Sequence, residues 1–187
     1  VLRLRADGTP LWSPVPQIES LRCDAVHVAA RPFGPGETVL DAVRGDSLDL
    51  EVEIDPVDAR EVALVLRRSA GGAQRTRVVL DRAGGTLAID REKAGAGDRG
   101  VHAAPFALGA GERLRLRVLV DRSSVEVFAQ DGSVVLTDRV FPDADSLGVA
   151  LDATGGAARL VSLTAWRLAP AMPYSPSAAA SAACTRP

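Results

Sequence analysis

Asparagine is absent from the 187 residues, so no Asn-x-Ser/Thr acceptor exists and sequence-encoded N-glycosylation is excluded. Lysine is nearly absent too: of 22 basic residues only Lys93 is a lysine, and against 24 acidic residues the net charge is −2. Without a basic run or a long-range positive field, nucleic acid and an anionic membrane surface are disfavoured as partners. The longest apolar stretches fall far short of the ~20 residues needed to cross a bilayer, and no charged-then-apolar leader opens the chain. The chain begins at Val1 with no initiator methionine and reads as a fragment or processed product, so the sequence does not itself fix localisation. Histidine occurs twice, at His27 and His102, and cysteine twice, at Cys23 and Cys184. Two distant cysteines make neither a disulfide framework nor a metal quartet; free thiols are expected, with a disulfide left open. Phosphate loops, dinucleotide fingerprints and Gly-x-Ser-x-Gly elbows are missing, so the expected cofactor and metal complement is none.

What is present is alternation. Hydrophobic residues make up 47% of the chain, enough for one substantial core. From Ser47 to Ile54, Leu48, Leu50, Val52 and Ile54 fall on one face while Asp49, Glu51 and Glu53 fall on the other. Arg113 to Val120 repeats the design with opposite charge, so if the two strands are neighbours Glu51 and Arg115 belong to one outer-face ladder. Further strands are expected at 25–30, 61–68, 75–81, 86–90, 124–128, 134–141, 146–152 and 159–168. Between them Gly71-Gly72, Gly84-Gly85, Asp131-Gly132 and Gly155-Gly156 supply turns, Asp131-Gly132 being the clearest hairpin. No helix longer than a turn or two is expected. The reading is all-β, a two-sheet antiparallel β-sandwich of jelly-roll or lectin-like type. Its organisation is a connector over 1–22 with one short strand, a sandwich over 23–168, and an Ala/Pro/Ser-rich tail over 169–187 that is expected to be disordered.

The residues that chemistry would need are sparse. Glu51 and Glu53 share a strand face at a spacing of the kind that glycosidase carboxylates use, but a solvated outer face accounts for them. Asp143 and Asp145 read as turn formers, and His27 as a structural histidine in an alternating strand. Trp166, Phe128 and Phe141 sit in patterns that suit the core, and with only seven aromatic residues a stacking platform for sugar is weakly provided. Trp12 stands apart, flanked by Pro10 and Pro14, and with Val15 and Ile18 it is a candidate for packing against another domain. No catalytic residue is identified.

The stretch DRSSVEVF at 121–128, the Asp131-Gly132 hairpin and DRVFP at 138–142 resemble the C-terminal β-sandwich of glycoside hydrolase family 32, which includes levanases, inulinases and invertases. GDSLDLEVEI (45–54), LDRAGGTLAIDR (80–91), GERLRLRVLV (111–120) and LVSLTAWRL (160–168) follow in the family's order, and PVPQIESLR (14–22) is similar to its connector. The resemblance implies a non-catalytic accessory sandwich beside a propeller domain that hydrolyses fructans or sucrose, and it suggests a secreted parent. The propeller's Trp-x-Asn-Asp-Pro, Arg-Asp-Pro and Glu-Cys motifs do not occur here. Asp121, Arg122 and Glu126 of the central motif become candidates for a polar cluster at the interdomain contact. Partners implied are that propeller, fructan bound weakly, and a second copy of the chain. A free-standing glycosidase with an unrecognised carboxylate pair is the remaining alternative.

Overall fold

The computed structural model describes residues 1–171, within which the chain is almost entirely strand. The strands are β1 (Leu2–Leu4), β2 (Pro10–Trp12), β3 (Arg22–Val28), β4 (Arg31–Phe33), β5 (Gly36–Arg44), β6 (Ser47–Asp55), β7 (Glu61–Arg68), β8 (Arg75–Asp81), β9 (Thr86–Lys93), β10 (Val101–Pro105), β11 (Leu114–Asp121), β12 (Ser124–Ala129), β13 (Val134–Arg139), β14 (Gly148–Thr154) and β15 (Ala158–Leu168). One sheet runs β10-β9-β8-β7-β14-β5, the other β13-β12-β11-β6-β15-β3 with β4 also paired to β15, and β1-β2 form a separate hairpin. The two large sheets face each other across a single core, as the alternation predicts. Among the described residues no helix is long and apolar enough to cross a membrane.

The alternation of β6 and β11 becomes geometry directly. Leu48, Leu50, Val52 and Ile54 point inward, and across the ladder Val118 lies opposite Leu50 and Leu116 opposite Val52. Fully burying side chains of this size stabilises the fold by about 1.5–3 kcal/mol each before entropy is counted. The two strands are neighbours as expected, but the register sets Arg117 opposite Glu51 and Arg115 opposite Glu53. Arg115 instead ion-pairs with Asp131 at 3.1 Å, and Arg113 with Glu53 at 3.1 Å. The Glu51–Arg115 pairing is therefore corrected by one rung.

β7 and β8 match the predicted spans, whereas β4, β5 and β10 were not foreseen. In β5, the inward Leu40 and Val43 are three residues apart because the ladder to β14 shifts between Gly148 and Ala150, which breaks the period of two. The segment 1–22 carries two short strands where one was expected. The core's aromatic residues are Phe33 and Phe106. Phe128 and Trp166, expected inside, are half-buried on the outer face, because Phe128 has the opposite parity to the inward Val125 and Val127, and Trp166 that of Asp49. Phe141 lies past the end of β13 and is exposed, with the Arg139 guanidinium 4.9 Å from its ring centroid.

Two features close the molecule. Along one edge, Asp138 of β13 takes Arg91 of β9 at 3.0 Å and His102 Nδ1 of β10 at 2.7 Å, which joins the two sheets. At the other edge β3 pairs with β15, with Arg22 opposite Leu168, and the Ala169 amide donates to the Leu21 carbonyl at 2.9 Å. Cys23 is disulfide-bonded, which corrects the expectation of a free thiol there. Cys184, Tyr174 and the tail beyond residue 171 lie outside the described residues.

Candidate functional site

The outward face of the seven-stranded sheet carries the first candidate surface. Its centre is Asp49, which alternation assigned to solvent and which is 0% exposed. The connector accounts for the difference. A 3-10 turn, Pro16–Leu21, brings the chain across this face, and Arg22 donates from Nε to Asp49 Oδ2 at 2.7 Å and from Nη2 to Glu51 at 2.6 Å. Arg117 reaches the same carboxylate with Nη2 at 2.9 Å and Nε at 3.2 Å, and Glu19 of the turn with Nη1 at 3.2 Å. The Arg22 guanidinium lies 3.8 Å from the Trp166 ring centroid. Burial would lower the Arg22 pKa, but the Asp49 and Glu51 carboxylates outweigh it and hold it above the usual value. Glu51 and Glu53 are thus committed to Arg22 and Arg113, as an ion-paired face and not as a carboxylate pair across a cleft.

The connector is also fastened at the far end of this sheet. The β12–β13 turn passes through Gln130, Asp131 and Gly132 with φ of 45°, 61° and 85°. A Cβ at Gly132 would fall 1.7 Å from the Trp12 carbonyl oxygen, so only glycine admits both this φ and the approach of β2. The hairpin held there leaves Leu2 53%, Leu4 71%, Trp12 51% and Val15 49% exposed. Leu2 and Trp12 are cross-strand partners. Ile18 is half-buried in the 3-10 turn. Of the expected apolar contact residues, Trp12 and Val15 therefore face outward and Ile18 is partly covered.

Asp121, Arg122 and Glu126 do not come together as one polar cluster. Asp121 and Arg122 are exposed at the β11–β12 turn, where Arg122 has φ of 47° and its amide donates to the Asp46 carbonyl at 2.6 Å. Its guanidinium stands 3.8 Å from the Asp46 carboxylate. Glu126 sits within the sheet, between Leu119 and Thr137. Among the described residues no hydrogen bond or ion pair links the three. Asp143 fulfils its turn role, its amide and carboxylate both engaging the Gln74 side chain, at 2.8 and 2.9 Å. His27 is held through Nδ1, 3.1 Å from Thr164 Oγ1.

A second surface, on the outward face of the six-stranded sheet, escaped sequence reasoning. Arg77 meets Glu61 at 2.9 Å, Asp152 at 3.1 Å and Asp90 at 3.4 Å, gathering one guanidinium and three carboxylates from four adjacent strands. Burial opposes the charge on Arg77, but Glu61, Asp152 and Asp90 raise its pKa nonetheless. The floor beside it is of small residues, Ala63, Val65, Val79, Ala88 and Ala150, all buried. The signal was parity: Arg77 and Asp90 are directly opposed across the β8–β9 ladder, which only the register reveals.

Residues 17–167 match the family model described as Glycosyl hydrolases family 32 C terminal. The chain is 34% identical over 158 residues to a levanase of Bacillus sp. (strain L7), covering 81% of this chain and 17% of that protein. It is likewise 34% identical over 161 residues to a levanase of Bacillus subtilis (strain 168), covering 81% of this chain and 23% of that one. It therefore spans about a fifth of the length of these curated relatives. The exo-inulinase of Aspergillus awamori superposes with a TM-score of 0.75 at 24% identity, over 90% of this chain and 34% of that one. Fructan 1-exohydrolase IIa of Cichorium intybus does so with 0.76 at 15%, over 89% and 40%. These likenesses share the sandwich fold, and the match over 17–167 takes in both sheets and the motif turn. The chain belongs to the family of C-terminal domains of family 32 glycosyl hydrolases.

Proposed function

We propose that this chain is a non-catalytic accessory sandwich of a levanase- or β-fructofuranosidase-type glycoside hydrolase, stabilising a propeller domain that carries the chemistry. The carrying observation is the exposed apolar group of Leu2, Leu4 and Trp12 on the β1–β2 hairpin with Val15 just beyond it, outside a sandwich whose own core is complete without it. An ordered apolar surface of this kind suits a neighbouring domain. Trp12, Val15 and the accessible edge of Ile18 form its apolar part, with Asp121, Arg122 and Glu126 as separate polar contacts rather than one cluster. The outward carboxylates also support a non-catalytic role, since Glu51 and Glu53 are neutralised by arginines. The test is reducing-sugar release from sucrose, inulin and levan by the chain alone and mixed with a matching propeller. Activity confined to the mixture, or a stabilised propeller, supports the reading; turnover by the chain alone that Glu51→Gln abolishes overturns it.

A second reading, that the sandwich binds fructan weakly, has an observation of its own. The Arg77, Glu61, Asp90 and Asp152 group gathers oriented acceptors and donors on the outward face of the six-stranded sheet, an arrangement suited to vicinal hydroxyls. Calorimetric titration with levan and inulin tests it. Saturable heats that vanish in Asp152→Ala support binding, and their absence from the unsubstituted chain removes it.

A further inference from the structure

At the end of the sandwich where the β6–β7 turn, the β8–β9 turn and the segment after β10 converge lies an open cleft of about 440 Å³, lined among others by Asp58, Arg60, Arg82, Phe106 and Leu108. We propose that this cleft is a binding site for a small organic oxyanion, a carboxylate or a phosphate ester, gripped by Arg60 and Arg82.

The walls are fixed before any ligand arrives. The Arg60 amide donates to the Thr154 carbonyl at 2.9 Å, the Arg82 amide to the Arg60 carbonyl at 3.0 Å, and the Phe106 amide to the Gly85 carbonyl at 2.8 Å, so the three chain segments are stitched together by backbone. The β14–β15 turn presses in from behind: a Cβ at Gly156 would lie 2.6 Å from the Asp58 carbonyl, and one at Gly155 2.8 Å from Arg60 Cβ. Asp58 uses Oδ1 to accept the Ala157 amide at 2.8 Å.

The charges are unbalanced in one direction. Arg82 donates through Nη1 to the Ala59 carbonyl at 2.8 Å and the Val57 carbonyl at 3.4 Å, which orients its guanidinium and, among the described residues, leaves Nε and Nη2 without a hydrogen bond. The Arg60 guanidinium makes no hydrogen bond or ion pair among the described residues, and Asp58 is the only carboxylate of the lining. Two arginines thus line the cleft with a single carboxylate, and neither is ion-paired to it among the described residues, the reverse of the Arg77 group, where three carboxylates surround one arginine. Val57, held at φ of 47° in the turn closed by the Ala59 amide on the Pro56 carbonyl, turns its own carbonyl to accept from Arg82 at 3.4 Å. Forked guanidinium donors match planar or tetrahedral oxyanions, and the buried Phe106 with Leu108 offers an apolar wall to the ligand's body.

The experiment is a ¹H–¹⁵N titration of the full chain with inorganic phosphate and, separately, glucuronate, at ionic strength held constant with sodium chloride. Saturable shifts at the amides of Ala83, Ala107 and Leu108 with either probe are expected; phosphate alone marks a phosphate ester as the natural ligand, glucuronate alone a carboxylate, and both an oxyanion site of broad taste. Arg60→Gln, which removes an exposed side chain with no internal bond, is expected to weaken binding roughly tenfold or more. Arg77→Met, on the other surface, is expected to leave the affinity unchanged. Shifts that fail to saturate, that survive Arg60→Gln, or that centre on the Arg77 face overturn the proposal.

Discussion

Asp49 offers the sharpest test of how the outer face is held. Asp49→Asn keeps the side chain's shape and removes its charge, leaving Arg22 and Arg117 facing each other over a group that now presents an amide to one of them. Their side chains are 15% and 20% exposed, so water replaces the carboxylate only in part. Removing one partner of a fully buried ion pair costs about 3–5 kcal/mol. Here residual solvent and the remaining carboxylates of Glu51 and Glu19 reduce that to about 2–3 kcal/mol. For a domain of this size the loss corresponds to a fall in Tm of roughly 5–10 °C. Equilibrium urea unfolding reads it, with an unchanged m-value as the check that the two states are the same. Arg117→Met added to Asp49→Asn is expected to return part of the loss, since it removes one orphaned charge. A single-variant loss below about 0.5 kcal/mol, the range of an exposed ion pair, would refute the claim that Asp49 is a buried anchor.

Three further outcomes follow from the geometry. Gly132→Ala places a Cβ against the Trp12 carbonyl at positive φ; it is expected to cost about 1–3 kcal/mol and to raise amide exchange across Leu2–Trp12, and unchanged exchange there would count against the docking of the hairpin. Charge reversal at Glu53 is expected to be compensated by reversal at Arg113, with a coupling of about 0.5 kcal/mol in a double-mutant cycle, whereas Glu51 with Arg115 should be additive. Leu50→Ala, at the centre of β6 and fully buried, is expected to lose about 2–5 kcal/mol by chemical denaturation, and a loss under 1 kcal/mol would mean that the two sheets do not share one core.

The sandwich was legible where one face of a strand is polar and the other apolar, which writes the core into the sequence with a period of two, as in β6 and β11. Legibility failed where that period is interrupted. β5 is bulged against β14, and β10 is a five-residue edge strand, VHAAP, with no apolar–polar alternation. Parity within DRSSVEVF already turns Phe128 away from Val125 and Val127, so its outward position was available to a stricter reading. The burial of Asp49 was not: it depends on the connector crossing the sheet from residues far away in sequence. The Arg77 group was hidden for the same reason, since its members come from four strands and carry no motif. The apolar character of Trp12 and Val15 was visible in the sequence, but the glycine that seats their hairpin became meaningful only with the turn geometry.

The hydrogen-bonded meeting of β3 and β15 places the two places where the chain enters and leaves the sandwich side by side on a single edge. Everything else in the two sheets forms one closed loop of chain hung from that point. Such a body behaves as a cassette: a few residues joining the region of Arg22 to that of Leu168 would seal the gap, and new ends opened in the Gly71-Gly72 turn would leave every ladder intact. Whatever the sandwich is joined to in sequence, it is attached along one seam, away from the Arg77 face and the cleft beside Arg60.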